Sequence, residues 1–429
     1  MRALARSLAL VLLAPLAAAT DWTVGPSGSG AQFSEIQPAI DAARPGDVIR
    51  VQAGTYARFV IRKPLRILAD GGGPAVVAGL DFAVYVHDLR IGNELVLSGL
   101  TLRATGSLVP VLSVVDSLGT VVLHDLDLPL AETTRPGLEV RDCARVFLLA
   151  SRVRGGVLGG FGATPRGACV ALRSQLWIAG SELRGSDGDP SVTQQGAHGL
   201  EVEACELRVW TSRLLGGGSG NTLMGSSGHG GTGLLARTAR VELYGGPGSE
   251  IRGGDGAFET TTALNYPGGP GFTHLLGCTV RQQAAQTIAG GLDGLRLAQA
   301  PSQQTDGLSN VRLLPLAYPT ITPATPQAGI GTTLALNLTG SPGALQYPAL
   351  SFRLGVNLAS RWFEGLAVLD QTRLQVLPPV VLPAAGTLTH AVAIPPLTSL
   401  LGRTTYLQTF EVLGRRVVLS NPALVTITN

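Results

Sequence analysis

Val146-x-Leu148-x-x-Ser151-x-Val153 is the stretch on which the fold turns. Two apolar positions at spacing two, a two-residue corner, and two more positions at spacing two describe a pair of short strands joined by a tight bend. The pattern precedes this stretch as Leu95-x-Leu97-x-x-Leu100-x-Leu102 and Val121-x-Leu123-x-x-Leu126-x-Leu128. It follows as Leu176-x-Ile178-x-x-Ser181-x-Leu183 and Leu207-x-Val209-x-x-Ser212-x-Leu214. A stretched copy, Val241-x-Leu243 with Ser249-x-Ile251, comes next. A repeat of roughly thirty residues with strand spacing predicts a solenoid whose coils each support their neighbours.

The register makes a second expectation. If the spaced apolar positions point inward, Thr101, Asp127, Arg152, Glu182, Arg213 and Glu250 form one outward column, alternating in sign from Asp127 onward. Coils in a parallel stack lie about 4.8 Å apart. Opposite charges so placed stabilise by roughly 0.2–1 kcal/mol each.

Residues 1–19 read as a secretory signal: Arg2 and Arg6, an apolar stretch at 8–16, then Ala17-Ala18-Ala19. Removing its two Arg leaves 30 basic against 29 acidic residues. Such a balance offers no general attraction to nucleic acid or a membrane surface, and no stretch is long enough for a transmembrane segment. A secreted, periplasmic or cell-surface location is expected. Lys63 is the single lysine and is read as compositional bias. Four cysteines in an exported chain raise the question of disulfides. Cys143 and Cys205 stand two coils apart in the repeat, about 9–10 Å, beyond disulfide reach. Buried free thiols are expected. No Cys/His spacing suits zinc.

After the signal, Ser34 to Gln37 opens a short amphipathic helix with the outline of a capping box, and 47–51 reads as the first strand. Phe33, Ile36, Ala39, Ile40, Ala43, Gly46-Asp47, Ile49, Val51 and Gly54-Thr55-Tyr56 resemble the cap and first coil of right-handed parallel β-helix proteins of the pectin lyase-like fold. The resemblance covers about residues 22–312. It implies an all-β chain, a parallel β-helix solenoid (20–314) behind an N-terminal capping helix. Gly137, Gly167, Gly199 and Gly233 open successive coils. The coils lengthen through glycine-rich loops at 155–166, 185–198, 216–232 and 253–270, all leaving the same corner. They read either as a stacked binding surface or as flexible decoration. A Pro/Thr-rich connector (315–326) leads to alternating segments at 332–338, 350–356, 387–394, 404–413 and 416–427, a C-terminal β-sandwich. Its ending resembles an attachment or export module of secreted bacterial proteins.

The same resemblance implies two searches for chemistry. Pectate-lyase-like sites use clustered Asp for calcium, which requires several converging oxygens. Asp88, Asp116 and Asp142 each end a strand and are metal-ligand candidates, against a local turn role. Asp187 and Asp189 form a second acid pair. Polygalacturonase-like sites use paired carboxylates with Gly-His-Gly; Gly228-His229-Gly230 matches, but its companion motifs are absent, and His198 ends a similar loop. The outward positions offer a surface instead. Phe147, Trp177, Arg208, Trp210 and Tyr244 would form an aromatic strip, and Arg103, Arg154, Arg184 and Arg252 a basic row at the root of the glycine loops. Together they suit an anionic polysaccharide. The leading expectation is therefore engagement of an extracellular polysaccharide or surface partner without strong catalysis. A polysaccharide lyase or hydrolase, with calcium if a lyase, is the alternative. A structural or adhesive surface protein is the third.

Overall fold

The computed structural model describes residues 20–428 except 107–108, 130–134, 157–166, 189–194, 220–227, 247, 260–263, 284–285, 294, 315–318, 353, 359–362, 365–366, 370–373, 401–402 and 414–415. Residues 1–19, read above as a secretory signal, lie outside the described residues. Three parallel sheets build the solenoid. Sheet 1 has eleven strands, from Asp21–Val24 to Asn310–Leu314. Sheets 2 and 3 have nine each, beginning at Gly54–Ala57 and Phe59–Ile61. Each coil visits them in order, as in Arg145–Leu149, Arg152–Arg154 and Cys169–Leu172. This is a right-handed parallel β-helix, the hand that parallel crossovers adopt.

The register follows the repeat. Leu148 pairs with Ile178, and Ile178 with Val209. All three are fully buried. Asp127, Arg152, Glu182, Arg213 and Glu250 are successive partners on the outer face of sheet 2. Arg213 reaches Glu182 at 2.7 Å and Glu250 at 3.3 Å.

The corners explain substitutions that the apolar pattern leaves odd. Where the repeat exchanges Leu126 for Ser151, Ser181 and Ser212, a ladder begins. The amides of Leu126, Ser151 and Ser181 each donate to the next coil's serine Oγ at 3.1–3.2 Å. A second column does the same with thiols. The Ser174 amide donates to Cys205 Sγ, the Ala239 amide to Cys278 Sγ, and the Cys143 amide to Ser174 Oγ. All four cysteines are free and buried, and burial pushes the Cys143 thiol up to about 11. Two of them are therefore hydrogen-bond acceptors as well as apolar fillers.

At the N-terminal end, helix Ile36–Ala42 buries Ile36, Ala39 and Ile40 against the first coils. The capping box is not formed: Glu35 is the N-cap and makes no side-chain cap bond. Gln37 Oε1 instead accepts the Val60 amide at 2.7 Å and Glu35 the Ala57 amide at 2.9 Å, so these side chains satisfy open strand edges. Strand Asp21–Val24 precedes the expected first strand and pairs with it. Lys63 is structural too. Its Nζ donates to the carbonyls of Ile40, Asp41 and Ala43 at 2.8–3.0 Å, closing the helix C-terminus.

The C-terminal region is a three-stranded sheet facing an eight-stranded one built on Thr404–Leu413. Leu336, Leu338, Leu407 and Val425 fill the space between them. Its first strand, Thr320–Pro323, falls inside the segment read as connector. The expected strand at 350–356 is instead the end of Leu345–Ser351 and the start of Leu354–Leu358. The other face of the eight-stranded sheet lies on sheet 1 of the solenoid, with Tyr406, Val418 and Leu424 against Val96, Val122 and Trp177. In this seam His124, 1% exposed, has Nδ1 2.9 Å from Ser98 Oγ and a hydrogen bond with the Leu424 backbone. Burial, partly opposed by that bond, lowers its pKa to about 3.

Candidate functional site

The expected aromatic strip is not a surface. Phe147, Trp177, Trp210 and Tyr244 are at most 2% exposed, because the C-terminal sheet covers them. Phe147 stacks on Trp177 at 4.4 Å and Trp210 on Tyr244 at 4.8 Å. Arg208 is buried with them and pairs with Glu242 at 2.9 Å and Glu206 at 2.6 Å. Burial would raise the Glu242 carboxyl, but Arg208, Tyr244 and Arg240 outweigh it and bring it to about 2. The warning was present in sequence: Leu95-Val96-Leu97 and Val146-Phe147-Leu148-Leu149 are apolar without alternation, as in strands buried on both faces.

The aspartate row is a row of corners. Asp88, Asp116 and Asp142 have φ of 59°, 49° and 55°, and the same corner of later coils holds Arg173, Ala204, Thr238 and Leu276, also at positive φ. Aspartate tolerates this left-handed conformation through local hydrogen bonding. Arg173 grips Asp142 at 2.6 and 2.8 Å and holds its carboxyl below the usual range. Among the described residues no three His, Cys, Asp or Glu side chains are grouped to hold a metal. Asp189 lies outside the described residues.

The described parts of the glycine loops form one laced layer. Amides of Ala197, Gly217, Gly231, Gly254, Gly269 and Gly291 donate in turn to the carbonyls of Ser186, Ala197, Gly217, Gly231, Gly254 and Gly269, at 2.7–2.9 Å. Outgoing and returning segments of successive coils thus alternate. Glycine is required because a Cβ on Gly231 would stand 2.0 Å from the Ala197 carbonyl oxygen, and one on Gly254 1.8 Å from that of Gly217. Gly228-His229-Gly230 is part of this layer: the Gly196 amide bonds the His229 carbonyl, and the His229 ring lies 5.8 Å from Tyr266. His198 Nδ1 accepts the Thr232 amide at 3.2 Å.

Where sheet 2 enters this layer, the basic row becomes a groove. Arg154 and Arg184 are register neighbours, Leu215 interrupts the row, and Arg252 follows. Arg184 pairs with Asp187 at 3.1 Å and Arg252 with Asp255 at 3.0 Å. Both follow one local plan, Arg-Gly-x-Asp-Gly, two coils apart, or about 9.6 Å. The coil between reads Leu215-Gly216-Gly217-Gly218, lacking both the arginine and the aspartate. Their absence opens a cavity of about 260 Å³ between the two pairs. Asp187 Oδ1 is fixed by the Gly218 amide at 2.7 Å, and Asp255 Oδ1 by the Leu292 amide at 2.9 Å. Arg213 and Glu250 complete the lining, which carries three guanidinium and three carboxylate groups. The sequence shows Arg184 and Arg252 as part of a basic row and Asp187 as half of an acid pair with Asp189, and it does not single out Asp255. The repeated Arg-Gly-x-Asp spacing is the signal that joins them.

No protein-family model matches the chain, and no curated protein matches it. Among solved structures, tailspike protein 2 from Escherichia coli O157:H7 bacteriophage CAB120 is similar at 11% identity with a TM-score of 0.33. That likeness covers 95% of this chain and 64% of the tailspike, so the chain spans less than two thirds of its length. The tailspike protein gp49 from Acinetobacter baumannii bacteriophage Fri1, a capsular polysaccharide depolymerase, is similar at 10% identity with a TM-score of 0.25, covering 94% and 82%. Among the described residues no helix is long and apolar enough to cross a membrane.

Proposed function

We propose that the protein engages an extracellular polysaccharide, and that the groove between the Arg184–Asp187 and Arg252–Asp255 pairs receives the sugar chain. The supporting observation is the vacated middle coil: two fixed donor–acceptor pairs flank an open, small-residue floor with Leu215 beneath. Sugar hydroxyls both donate and accept, and each Arg–Asp pair offers both roles to adjacent hydroxyls. Because the guanidinium groups are balanced by carboxylates, the groove suits an uncharged glycan better than the anionic one the basic row alone implied.

Refilling the groove tests this. A Cβ on Gly218 would meet nothing closer than 3.6 Å, so the backbone there has room for a side chain, and Leu215→Arg with Gly218→Asp restores the missing residue pair. Retardation in gels containing neutral galactan, mannan or dextran should fall at least about tenfold in affinity, roughly 1.4 kcal/mol. Equal retardation of the refilled protein would sink the groove assignment.

A further inference from the structure

An aromatic row does reach the surface, at the opposite end of the solenoid and on another face. Phe82, Tyr85 and His87 are half-buried on the second coil, at the corner before sheet 3 and on its outer side. The Tyr85 ring lies 6.0 Å from Phe82 and 5.0 Å from His87. Arg58 sits over Phe82 at 4.9 Å and is neutralised by Asp81 at 3.0 Å. Arg62 is different. It is exposed, and its Nε donates to His87 Nε2 at 2.8 Å. A guanidinium can only donate, so Nε2 is the unprotonated nitrogen, and Nδ1–H donates to Asp88 at 2.8 Å. The imidazole thus holds Arg62 on one edge and Asp88 on the other. Among the described residues no carboxylate lies within ion-pair distance of Arg62, which leaves its terminal nitrogens facing outward as a donor fork.

We propose that this patch binds an acidic sugar residue of a polysaccharide, a second site independent of the groove. The carboxylate of a uronic acid meets the Arg62 fork, the face of its ring lies on Tyr85, and a hydroxyl donates to Asp88. Each element answers one part of that ligand. The aromatic row supplies an apolar platform, the unpaired guanidinium a charge that the groove lacks, and His87 keeps donor and acceptor on opposite edges of one ring. A protein partner with an acidic side chain would use the fork but has no need of the platform–acceptor pair.

The experiment is affinity electrophoresis of the full chain in gels with polygalacturonate. The protein should be retarded, and retardation should weaken as salt rises from 50 to 500 mM, because an exposed charge contact is screened. Arg62→Gln and Tyr85→Ala should each lower affinity at least about fivefold. Arg62→Lys should recover only part of the loss, since it keeps charge without the fork. Arg312→Gln, which removes the same charge from the exposed last strand, should bind as the parent does. Should Tyr85→Ala fail to fold, Arg62→Gln decides alone. Parent-like binding by Arg62→Gln, no retardation at 50 mM salt, or equal weakening by Arg312→Gln overturns the proposal.

Discussion

Acid should loosen the seam between solenoid and sandwich, and His124 sets the pH at which this begins. The ring is neutral and buried in the fold, with a pKa of about 3 against 6.5 when free. Below pH 6.5 the unfolded chain takes up a proton that the folded chain refuses, so stability falls with pH from 6.5 down to about 3 and is complete above 6.5. Each pH unit in that window costs about 1.4 kcal/mol. At pH 5.0 the loss is thus about 2 kcal/mol from this one residue. Glu242 does not interfere, because its contribution is lost only between about pH 4.5 and 2. His198 and His274 are also lowered, chiefly by burial, and add to the slope in the same direction. A comparison with His124→Gln isolates the residue: both proteins carry the other histidines. Urea unfolding at pH 7.5 and 5.0 can be followed by the fluorescence of Trp177 and Trp210, which lie in the same seam. The parent should lose about 2 kcal/mol more than the variant over this interval. Equal losses would refute the reasoning.

Three further outcomes follow from the packing. Gly231→Ala, whose Cβ would stand 2.0 Å from a carbonyl oxygen, should cost about 1–3 kcal/mol. Hydrogen exchange should quicken at Gly231, Gly254 and Gly269 while the amide of Ile178 stays protected. Lys63→Met takes the Nζ donor away from three carbonyls at the helix end and should cost about 1–3 kcal/mol, visible as faster exchange along 36–42. Ile178→Ala should cost about 2–5 kcal/mol; a change below about half a kcal/mol in urea unfolding would show that the column is not core.

The solenoid was legible because a one-residue slip inverts every side chain, so Leu148, Ile178 and Val209 and the charges between them had one consistent reading. The same register placed Cys143 and Cys205 too far apart to bridge. The outer face of sheet 1 was misread because an outward residue was equated with a solvated one. Trp177 points outward from the solenoid yet lies beneath a sheet some two hundred residues later in the chain, a contact no repeat encodes. For the glycine loops the sequence left a stacked surface and flexible decoration both open, since backbone-to-backbone lacing leaves only the absence of side chains as its trace. Arg184 and Arg252 were found from their column, while Asp255 needed the local spacing compared across a coil that lacks it. The aromatic row at Phe82, Tyr85 and His87 precedes the regular repeats, where no column reading was available.

The seam also limits how this chain can change length. Residues from Val48 and Leu68 at one end to Leu314 at the other share a single buried cluster with the C-terminal sheet. An unburdened solenoid can gain or drop a coil with little penalty, because coils answer only to their neighbours. Here the docked sheet works as a gauge. Removing one coil would shift everything beyond it by about 4.8 Å along a face whose stacked rings and buried ion pairs fit at one spacing. The coil number is therefore fixed by a region that contributes no coil of its own.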